Sequence, residues 1–476
     1  MSNKVLLCQF DNLEFYSYMI LSTQLTRNGV DHDIEIIDGE ESFYNDLSGK
    51  YRDFDIIGFY ACNADNARIL RLAIEIKKRF KDRTVILGGP NPTLNYESID
   101  FNLVDFVCIG DGEFHFADWV SGKHYIEKKN YYNIVCNLSE PFDTKFVTDF
   151  NSSPFPSREI YYRKYSFLRN MGVRRFLFST GCPFKCAYCH NESFRTKFKD
   201  DYYKTVLLRD PEKAISEMES VLSKYPADAI SFSDDNFCIN KKWLFSFLKL
   251  YSEKICKPFN MASTVNVLKD DVIDRLHTGN LKTVRIAMET TNERIRREIL
   301  RRPNYTNEEF AEVVGKLRKK NVKLVMLNMF CLPTQTLNDC VDTFRFANNN
   351  KVIMCTNILV PYKGTSIYKY CLENKLLVNP SADEGDIYAS SSYIKGEAME
   401  RMVTMQNYTF ILNFVITLIP IILFLSKFKW FRIFSHKLIS PINVVGMNYF
   451  GYRGLFSFTR LFILGIKTFS SFKRKN

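Results

Sequence analysis

Apolar and polar positions alternate in two different rhythms over the first 140 residues. Short apolar runs bounded by polar or glycine-containing turns predict β-strands at 5–10, 34–37, 55–60, 84–87 and 105–109. Between these runs, apolar residues recur every three or four positions, which predicts helices at 15–28 and 66–80 and a third that begins near residue 113. This alternation is typical of a doubly wound parallel sheet, in which ligands lie beyond the carboxyl ends of the strands.

The same alternation returns after residues 151–157, a serine- and proline-containing stretch typical of a linker. Strand patterns occupy 174–180, 229–232, 260–265, 283–288, 323–330 and 352–360, and helical patterns occupy 211–224, 241–254, 270–278, 307–320 and 338–348. Six such units predict an incomplete, TIM-like (β/α)6 barrel, whose functional groups gather at the carboxyl ends of the strands. We therefore predict an α/β protein with a Rossmann-like doubly wound parallel-sheet domain (1–140), a linker (141–170), a partial (β/α)6 barrel (171–380) and a helical tail (381–476).

The tail combines apolar and basic residues in an unusual way. Residues 408–425 are strongly apolar, and the theme returns over 456–472. No Asp or Glu follows Glu400, and the chain as a whole carries a net charge of +12. The first apolar run is followed at once by cations and an aromatic residue, namely Lys427, Lys429, Trp430 and Arg432.

Three arrangements of this tail are open: a helix lying in the cytoplasmic leaflet and held by anionic lipid, a single membrane-spanning helix, or a buried helix of a soluble enzyme. We favour the first, which makes the protein cytoplasmic and peripheral at the inner face of the membrane. Nucleic acid is not expected as a partner, because the basic residues alternate with Phe, Leu and Ile instead of forming a polar track. Three methionines at near-helical spacing ahead of the run predict a packing stripe: Met399, Met402 and Met405.

The cysteines change the picture most. Thirteen of them are scattered along the chain, and the N-terminus has too short an apolar run for a secretory signal, so a reducing cytosol is expected. Three stand four and then three positions apart in one loop opened by Gly181: Cys182, Cys186 and Cys189. Thiolates are the ligands of iron–sulfur clusters, and three of them leave one iron of a four-iron cluster open to another ligand. No second cluster motif is found in the remaining cysteines.

Two other interpretations of the loop remain open at this stage. The three cysteines and His190 would make a tetrahedral zinc site, although structural zinc sites usually pair two separated ligand knuckles. Residues 186–190 also match the c-type haem attachment pattern, which requires export.

The cysteine spacing, with the aromatic Tyr188 before the last cysteine and an apolar strand before the loop, resembles the radical SAM superfamily. The resemblance implies a [4Fe-4S] cluster whose open iron binds S-adenosylmethionine (SAM). An electron from a reductant such as flavodoxin or ferredoxin then cleaves SAM to methionine and a 5′-deoxyadenosyl radical, which abstracts hydrogen from the substrate.

Polar residues follow other predicted strands. Asp234 and Asp235 are a carboxylate pair that can hold an ammonium group or act as a base, or else cap a helix. The resemblance implies that they and Tyr188 contact SAM, and that Glu289 binds its ribose or methionyl part. It also implies a recurrent arginine at 301–302, which is otherwise a solvated helix end. Family glycines are replaced by Cys331 and Thr334, which predicts a reshaped adenine side.

Small residues end two strands of the first domain and are either tight turns or a ligand cradle: Gly88, Gly89, Gly110 and Gly112, with Glu113 next to them. Their sequence context resembles the cobalamin-binding domain that precedes many radical SAM domains. The Asp-x-His-x-x-Gly motif that supplies a cobalt ligand in many cobalamin proteins is missing, since residues 11–15 contain no histidine. This is compatible with cobalamin whose lower face is unligated, and also with a degenerate domain that binds none.

The functional hypothesis is therefore a radical SAM enzyme that transfers a methyl group from cobalamin to an unactivated carbon of a small or lipid-like substrate. Cobalamin-dependent rearrangement or cyclisation without methyl transfer is the first alternative. A non-catalytic, membrane-bound cobalamin or iron–sulfur sensor is the second. A methylthiotransferase is disfavoured, because its extra cluster cysteines and basic RNA module are missing.

Overall fold

The computed structural model describes residues 4–62, 65–199, 206–380 and 391–443. The predicted second apolar segment of the tail, 456–472, lies outside these residues. Two six-stranded sheets organise the described part of the chain.

The first sheet is parallel in five of its six strands, which lie in the order β2-β1-β3-β4-β5-β6. Only β6 runs antiparallel to its neighbour. The strands are β1 (Lys4–Gln9), β2 (Asp31–Ile36), β3 (Ile56–Tyr60), β4 (Thr84–Gly88), β5 (Phe106–Cys108) and β6 (Ile134–Val135). The helices are α1 (Tyr16–Arg27), α2 (Glu40–Ser48), α3 (Asn66–Arg79), α4 (Pro90–Asn95), α5 (Phe116–Ser121) and α6 (His124–Glu127).

Both faces of this sheet are covered. Alternate residues of β1 enter different cores, Leu6 with one and Val5 and Leu7 with the other, because successive side chains of a strand point to opposite faces. The doubly wound parallel sheet predicted from the sequence is confirmed. The short helices α2 and α4 were not predicted.

The connection to the second sheet is folded and packed. The stretch assigned as a linker, 141–170, contains α7 (Glu159–Tyr162) and α8 (Ser166–Arg169), with Ile160, Tyr161 and Leu168 fully buried. It is therefore a structured connector and not an exposed spacer.

The second sheet has its strands in chain order, β14-β13-β12-β11-β10-β7, and all neighbouring pairs are parallel. The strands of this region are β7 (Val173–Phe176), β8 (Ser179–Thr180), β9 (Leu207–Leu208), β10 (Ala229–Phe232), β11 (Phe259–Ser263), β12 (Leu281–Glu289), β13 (Lys323–Phe330) and β14 (Ile353–Ile358). Its helices are α9 (His190–Lys197), α10 (Pro211–Lys224), α11 (Lys241–Lys254), α12 (Asp270–Thr278), α13 (Asn307–Lys319), α14 (Leu337–Asn349) and α15 (Ser366–Glu373).

This open sheet with its helices is the partial barrel predicted from the sequence. One prediction needs correction: the first strand does not run continuously over 174–180. It ends at Phe176, and Ser179 and Thr180 pair instead with β9 in a separate two-stranded ribbon. The ribbon leads directly into the cysteine loop.

The tail begins as part of the barrel. Helix α16 (Glu397–Asn407) packs against β13, β14 and α14, and it buries Met402 and Met405, so the predicted methionine stripe is confirmed. Three short helices follow: α17 (Thr409–Leu412), α18 (Ile419–Leu425) and α19 (Lys429–Phe434). The apolar run does not form one long helix, because Pro420 opens α18 and separates it from α17. Among the residues that the structure describes, no helix is long and apolar enough to cross a bilayer.

Candidate active site

The cysteine loop joins the short strand β8 to helix α9. Gly181 opens it with a φ of 87°, a conformation that favours glycine. The loop is held from both sides, since Ala187 N donates to Leu300 O (2.9 Å) and Ile367 N donates to Ala187 O (2.8 Å). Segments that follow β12 and β14 therefore hold the loop at the carboxyl end of the sheet.

Arg195, on helix α9, holds the first half of the loop. Its guanidinium donates to Cys182 O at 2.5 Å and also to Phe184 O. Arg195 was not predicted from the sequence, although its position six residues after the last cysteine places it on the helix that follows the loop. It is a positioning residue for the loop backbone.

The three thiols lie close enough to affect one another's titration. Burial, with smaller contributions from the neighbouring Asp235, Cys186 and Cys182, raises the pKa of Cys189 to about 12. Within the described residues, no three His, Cys, Asp or Glu side chains converge on a point that a single ion could occupy. In a mononuclear zinc site all the ligands bind one metal ion, with sulfur at about 2.3 Å from it. In a [4Fe-4S] cluster each thiolate binds a different iron.

A buried polar network adjoins the loop. Tyr188 donates its hydroxyl to Glu289 Oε1 (2.6 Å), and Arg302 donates to Tyr188 Oη (3.3 Å), Cys186 Sγ (3.5 Å) and Ala287 O (2.8 Å). Burial raises the pKa of Glu289, and the Arg302 cation opposes that rise. Of the two arginines predicted from the resemblance, Arg302 enters the site, whereas Arg301 is exposed.

The two aspartates after β10 play different roles. Asp234 is buried and accepts hydrogen bonds through Oδ1 from Ser179 Oγ (2.5 Å) and Phe178 N (3.1 Å), and burial raises its pKa to about 7. Its Oδ2 has no hydrogen-bond partner among the described residues, so this atom can accept from an ammonium group. Asp235 is exposed and accepts from Asn191 Nδ2 (2.7 Å). The structure therefore separates the predicted carboxylate pair into one buried and one exposed group.

The positions that resemble family glycines keep a glycine-like backbone. Cys331 has a φ of 59° and Thr334 a φ of 64°, which is the left-handed region. Cys331 is buried, and its thiol donates to Met399 O (3.4 Å) in the turn that opens α16. The Cys331 side chain thus lies against the tail helix, whereas Thr334 is exposed and accepts from Arg294 (3.0 Å).

A cavity of about 460 Å³ lies between the first sheet and the cysteine loop. The carboxyl ends of the first sheet contribute all five residues predicted as the cradle, which are Gly88, Gly89, Gly110, Gly112 and Glu113. The barrel side contributes Arg175, Thr180, His190, Asn191 and Asp235. One cavity therefore joins the ligand-binding edge of the first domain to the flank of the predicted cluster site.

The glycines of this edge are required by local packing. A Cβ on Gly89, whose φ is 107°, would lie 2.9 Å from Ala61 O, and one on Gly112 would lie 2.9 Å from Cys108 Sγ. At Gly88 the nearest atom would be 3.7 Å away, which is an ordinary contact. Tight turns thus explain most of these glycines. Because glycine has no side chain, nothing projects from these turns into the cavity.

Glu113 is the buried carboxyl group at this edge. It accepts a hydrogen bond from Ser153 Oγ (2.5 Å), and burial raises its pKa to about 7. The neighbouring Asp111 accepts from Val147 N (2.8 Å), and burial raises its pKa to about 6. Asp111 lies between two of the predicted glycines but was not itself predicted as a site residue, and Arg175 stands in no recognisable motif.

Residues 176–347 match the model of the Radical SAM superfamily. An uncharacterised methyltransferase of Pyrococcus horikoshii is 23% identical over 365 residues, which cover 73% of this chain and 77% of the relative. A bacteriochlorophyllide d C-8(2)-methyltransferase of Chlorobaculum tepidum is 23% identical over 372 residues, which cover 76% and 77%.

Two solved structures share the fold at low sequence identity. The cobalamin-dependent S-adenosylmethionine radical enzyme OxsB, with aqua-cobalamin bound, aligns with a TM-score of 0.65 at 13% identity, over 98% of this chain and 75% of OxsB. The radical S-adenosylmethionine methyltransferase TsrM from Kitasatospora setae, with cobalamin and a [4Fe-4S] cluster bound, aligns with a TM-score of 0.61 at 13% identity, over 80% and 76%.

The chain thus contains a radical SAM domain over residues 176–347, whose cofactors are a [4Fe-4S] cluster and SAM. Its doubly wound N-terminal sheet followed by a partial barrel is the fold that it shares with OxsB and TsrM.

Proposed function

We propose that the protein is a cobalamin-dependent radical SAM methyltransferase. The observation that carries this proposal is the shared cavity, in which the carboxyl edge of the first sheet and the flank of the cysteine loop face each other. A corrin ring bound at the wall formed by the first sheet would face the flank of the cysteine loop, and SAM held at the loop would lie beyond that flank, with a substrate between the two cofactors. The methyltransferase relatives support the same reaction class.

The residues have defined tasks in this proposal. Cys182, Cys186 and Cys189 hold the cluster. Glu289 and Tyr188 receive the polar parts of SAM, together with the free oxygen of Asp234. Gly88, Gly89, Gly110, Gly112 and Glu113 form the cobalamin wall. When bound, the cluster supplies the electron that splits SAM to methionine and a 5′-deoxyadenosyl radical, and cobalamin supplies the methyl group.

Anaerobic reconstitution tests the radical chemistry. The protein is expected to bind four irons and four sulfides and, once reduced, to release 5′-deoxyadenosine from SAM. Cys186→Ala should lose both properties. Cys256→Ala, a change at an exposed cysteine before β11, should keep both. A reconstituted protein that binds iron and cobalamin but releases no 5′-deoxyadenosine would favour the sensor.

Cobalt analysis tests the first domain separately. Gly88→Phe would place a ring at the cavity wall and should abolish cobalamin binding without loss of iron. Gly315→Phe is the matched control, because a Cβ on Gly315 in α13 meets nothing within 4 Å. Retention of cobalamin by the Gly88 variant, or absence of cobalamin from the parent protein, would contradict this assignment.

The substrate is proposed to be small or lipid-like, and the reductant to be a flavodoxin or ferredoxin. The cavity lining supports such a substrate, since it is mainly apolar, with few charged groups such as Arg175, Asp235 and Glu113. SAM labelled with deuterium in its methyl group distinguishes methyl transfer, which carries the label into product, from rearrangement or cyclisation, which does not.

We also propose that the enzyme works at the cytoplasmic face of a membrane. The support is the apolar outer surface of the tail, which lies beyond the barrel. Fractionation of cells that express the full chain should place it with membranes, and carbonate or high salt should release it.

A further inference from the structure

The outer surface of residues 414–442 is the most apolar exposed region of the described chain. Ten of the seventeen large apolar side chains that are exposed among the described residues belong to it. They are Phe414, Val415, Ile421, Phe424, Phe428, Trp430, Ile433, Phe434, Leu438 and Ile442. An exposed apolar area of this density marks an interaction site in a soluble domain.

This surface is held in place by the barrel. The inner sides of α18 and α19 pack on α16 and bury Ile419, Ile422 and Phe431. Arg401 on α16 donates to Ser426 Oγ (3.2 Å) and to Leu423 O (3.0 Å). The exposed side chains therefore cannot turn inward without breaking a packed core.

Five of these side chains, at 424, 428, 430, 433 and 434, form a strip. The rings of Phe424 and Phe428 are 5.8 Å apart, and those of Phe428 and Trp430 are 6.4 Å apart. Trp430, Ile433 and Phe434 then follow at the spacing of one helix face. Large rings placed side by side on an outer face suit a boundary between water and an apolar phase.

The charged side chains of residues 414–442 themselves have one sign. Lys427, Lys429, Arg432 and Lys437 lie within this segment, and no carboxylate side chain occurs after Glu400 in the chain. Arg432 and Lys427 also stay close to the strip, since Arg432 donates to Ser426 O (3.0 Å) and the Lys427 ammonium lies 5.8 Å from the Phe424 ring. Cations bordering an apolar face are the pattern of helices that lie in the interface of anionic membranes.

We propose that residues 414–442 form a docking surface for an anionic phospholipid bilayer, with the strip inserted among the acyl chains near the headgroups and the lysines against the lipid phosphates. A second copy of the chain, packed strip to strip, would bring the same cations together. The C-terminal residues 444–476 would do so too, because their side chains that are charged at neutral pH are all basic. An anionic bilayer is the occupant whose charge is complementary to the surface.

Vesicle sedimentation with the full chain tests this proposal. The protein should bind vesicles of phosphatidylcholine that contain about a third phosphatidylglycerol at physiological salt. It should bind pure phosphatidylcholine vesicles far more weakly, and roughly 1 M salt should release it from the anionic vesicles, because salt screens the lysines. Absence of sedimentation with anionic vesicles would overturn the proposal.

Two sets of variants separate charge from apolar insertion. Lys427→Gln with Lys429→Gln and Lys437→Gln should lower the partition coefficient about a hundredfold, since each basic residue near an anionic surface contributes roughly fivefold. Phe424→Ser with Trp430→Ser and Ile433→Ser should lower it by at least about tenfold. The matched controls are Lys242→Gln with Lys249→Gln and Lys282→Gln, and Ile126→Ser with Leu372→Ser and Val378→Ser, all at exposed positions elsewhere. Equal losses in the controls would overturn the proposal.

Trp430 provides a readout that does not depend on mutational stability. The other two tryptophans, Trp119 and Trp243, are buried, so a blue shift of emission on addition of anionic vesicles reports Trp430. Trp430→Phe should remove the shift while sedimentation persists. A dimer that Trp430→Ser dissociates would show that a second copy covers the strip. A Trp430 emission that is already blue-shifted and that vesicles do not change would show that the chain's own C-terminal residues cover it. Either result would overturn the proposal.

Discussion

Glu289 has an unusual backbone conformation at the centre of the candidate site. Its φ of 66° lies in the left-handed region, and the register of β12 against β13 shifts at the same point. A non-glycine residue adopts this conformation at an energetic cost, which commonly marks a functional position. The bend turns a buried carboxylate towards Tyr188 and the cysteine loop.

Glu289→Gln is expected to raise the KM for SAM by about tenfold or more while the iron content stays unchanged. The amide keeps the shape of the side chain but loses the negative charge, and hydrogen bonds to charged groups contribute roughly 1.5–3 kcal/mol. The measurement is 5′-deoxyadenosine formation at varied SAM. Glu298→Gln, an exposed change nearby, is the control. An unchanged KM would limit Glu289 to pairing with Tyr188.

Glu113 is expected to make stability depend on pH. Burial raises its pKa to about 7, against roughly 4 in an unfolded chain. Between these values the folded protein keeps a proton that the unfolded chain releases, so the free energy of unfolding should fall as the pH rises from about 4 to about 7. Glu113→Gln should flatten this part of the curve, measured by urea unfolding across that range. The control is Glu127→Gln, at an exposed position, which should leave the slope unchanged. If Glu113→Gln also leaves the slope unchanged, Glu113 is not the group responsible for it.

At this scale, the sequence predicted which residues lie at the site better than it predicted their roles. The cysteine spacing is local, so one loop was enough to identify its chemistry. Asp234 and Asp235 looked equivalent, and only the fold sends one side chain under β8 and the other into the cavity. Arg195 was missed because its contacts are with backbone carbonyls, which leave no pattern in the sequence.

Helices α13 and α14 of the barrel begin with reciprocal caps. Thr306 Oγ1 accepts from Glu309 N (3.1 Å) while Glu309 Oε2 accepts from Thr306 N (2.8 Å). Thr336 and Asp339 repeat this arrangement at α14. These caps satisfy backbone donors that a helix start leaves unpaired, and they fix where each helix leaves the strand end that carries the site.

Thr306→Ala is expected to lower the free energy of unfolding by about 1 kcal/mol. It removes the acceptor for Glu309 N at the start of α13. Thr278→Ala, at an exposed position in the last turn of α12, should have a smaller effect because its hydroxyl bonds only to Asp274 O. Denaturant unfolding of both variants is the measurement. Equal losses would mean that the cap contributes nothing specific.

Elements with a long apolar period were predicted almost to the residue, and short ones were not. Helices α10, α11 and α12 and strands β10 and β13 have the predicted bounds. The local pattern dominates in such segments, because each buries one regular face. Helix α4 and the β8–β9 ribbon are too short to show a period, and the apolar run of the tail was divided by Pro420.

The two sheets are joined by buried polar contacts from the connector. Arg158 donates to Glu217 Oε1 at 3.1 Å in a fully buried ion pair, and to Arg175 O (3.0 Å) at the cavity wall. From the same connector, Tyr162 donates to Glu14 Oε1 at 2.6 Å in the first domain. The relative position of the domains, and with it the cavity, depends on this stretch.

Arg158→Ala is expected to destabilise the protein by about 3–5 kcal/mol, because Glu217 loses the cation that donates to it and keeps only Arg209, whose Nε lies 3.9 Å from its Oε2, as a buried counterion. Arg158→Met combined with Glu217→Leu should recover little of this loss, since Arg209 then remains as a buried cation without a carboxylate at that distance. Lys224→Ala, which breaks an exposed ion pair with Glu159, should have no measurable effect. Thermal unfolding gives the comparison, and a double variant as stable as the parent protein would contradict the explanation.

The sequence by itself determined the two parallel-sheet units, their order and the cysteine loop, because each follows from neighbouring residues and from a periodicity that a single element must satisfy. Only the tertiary structure decided that Gly110 and Asp235 line one cavity, that Arg302 reaches Cys186, and that the apolar tail divides into a buried α16 and an exposed strip. These relations join positions far apart in the chain. Local pattern carries no information about such contacts, which arise when separate elements pack together.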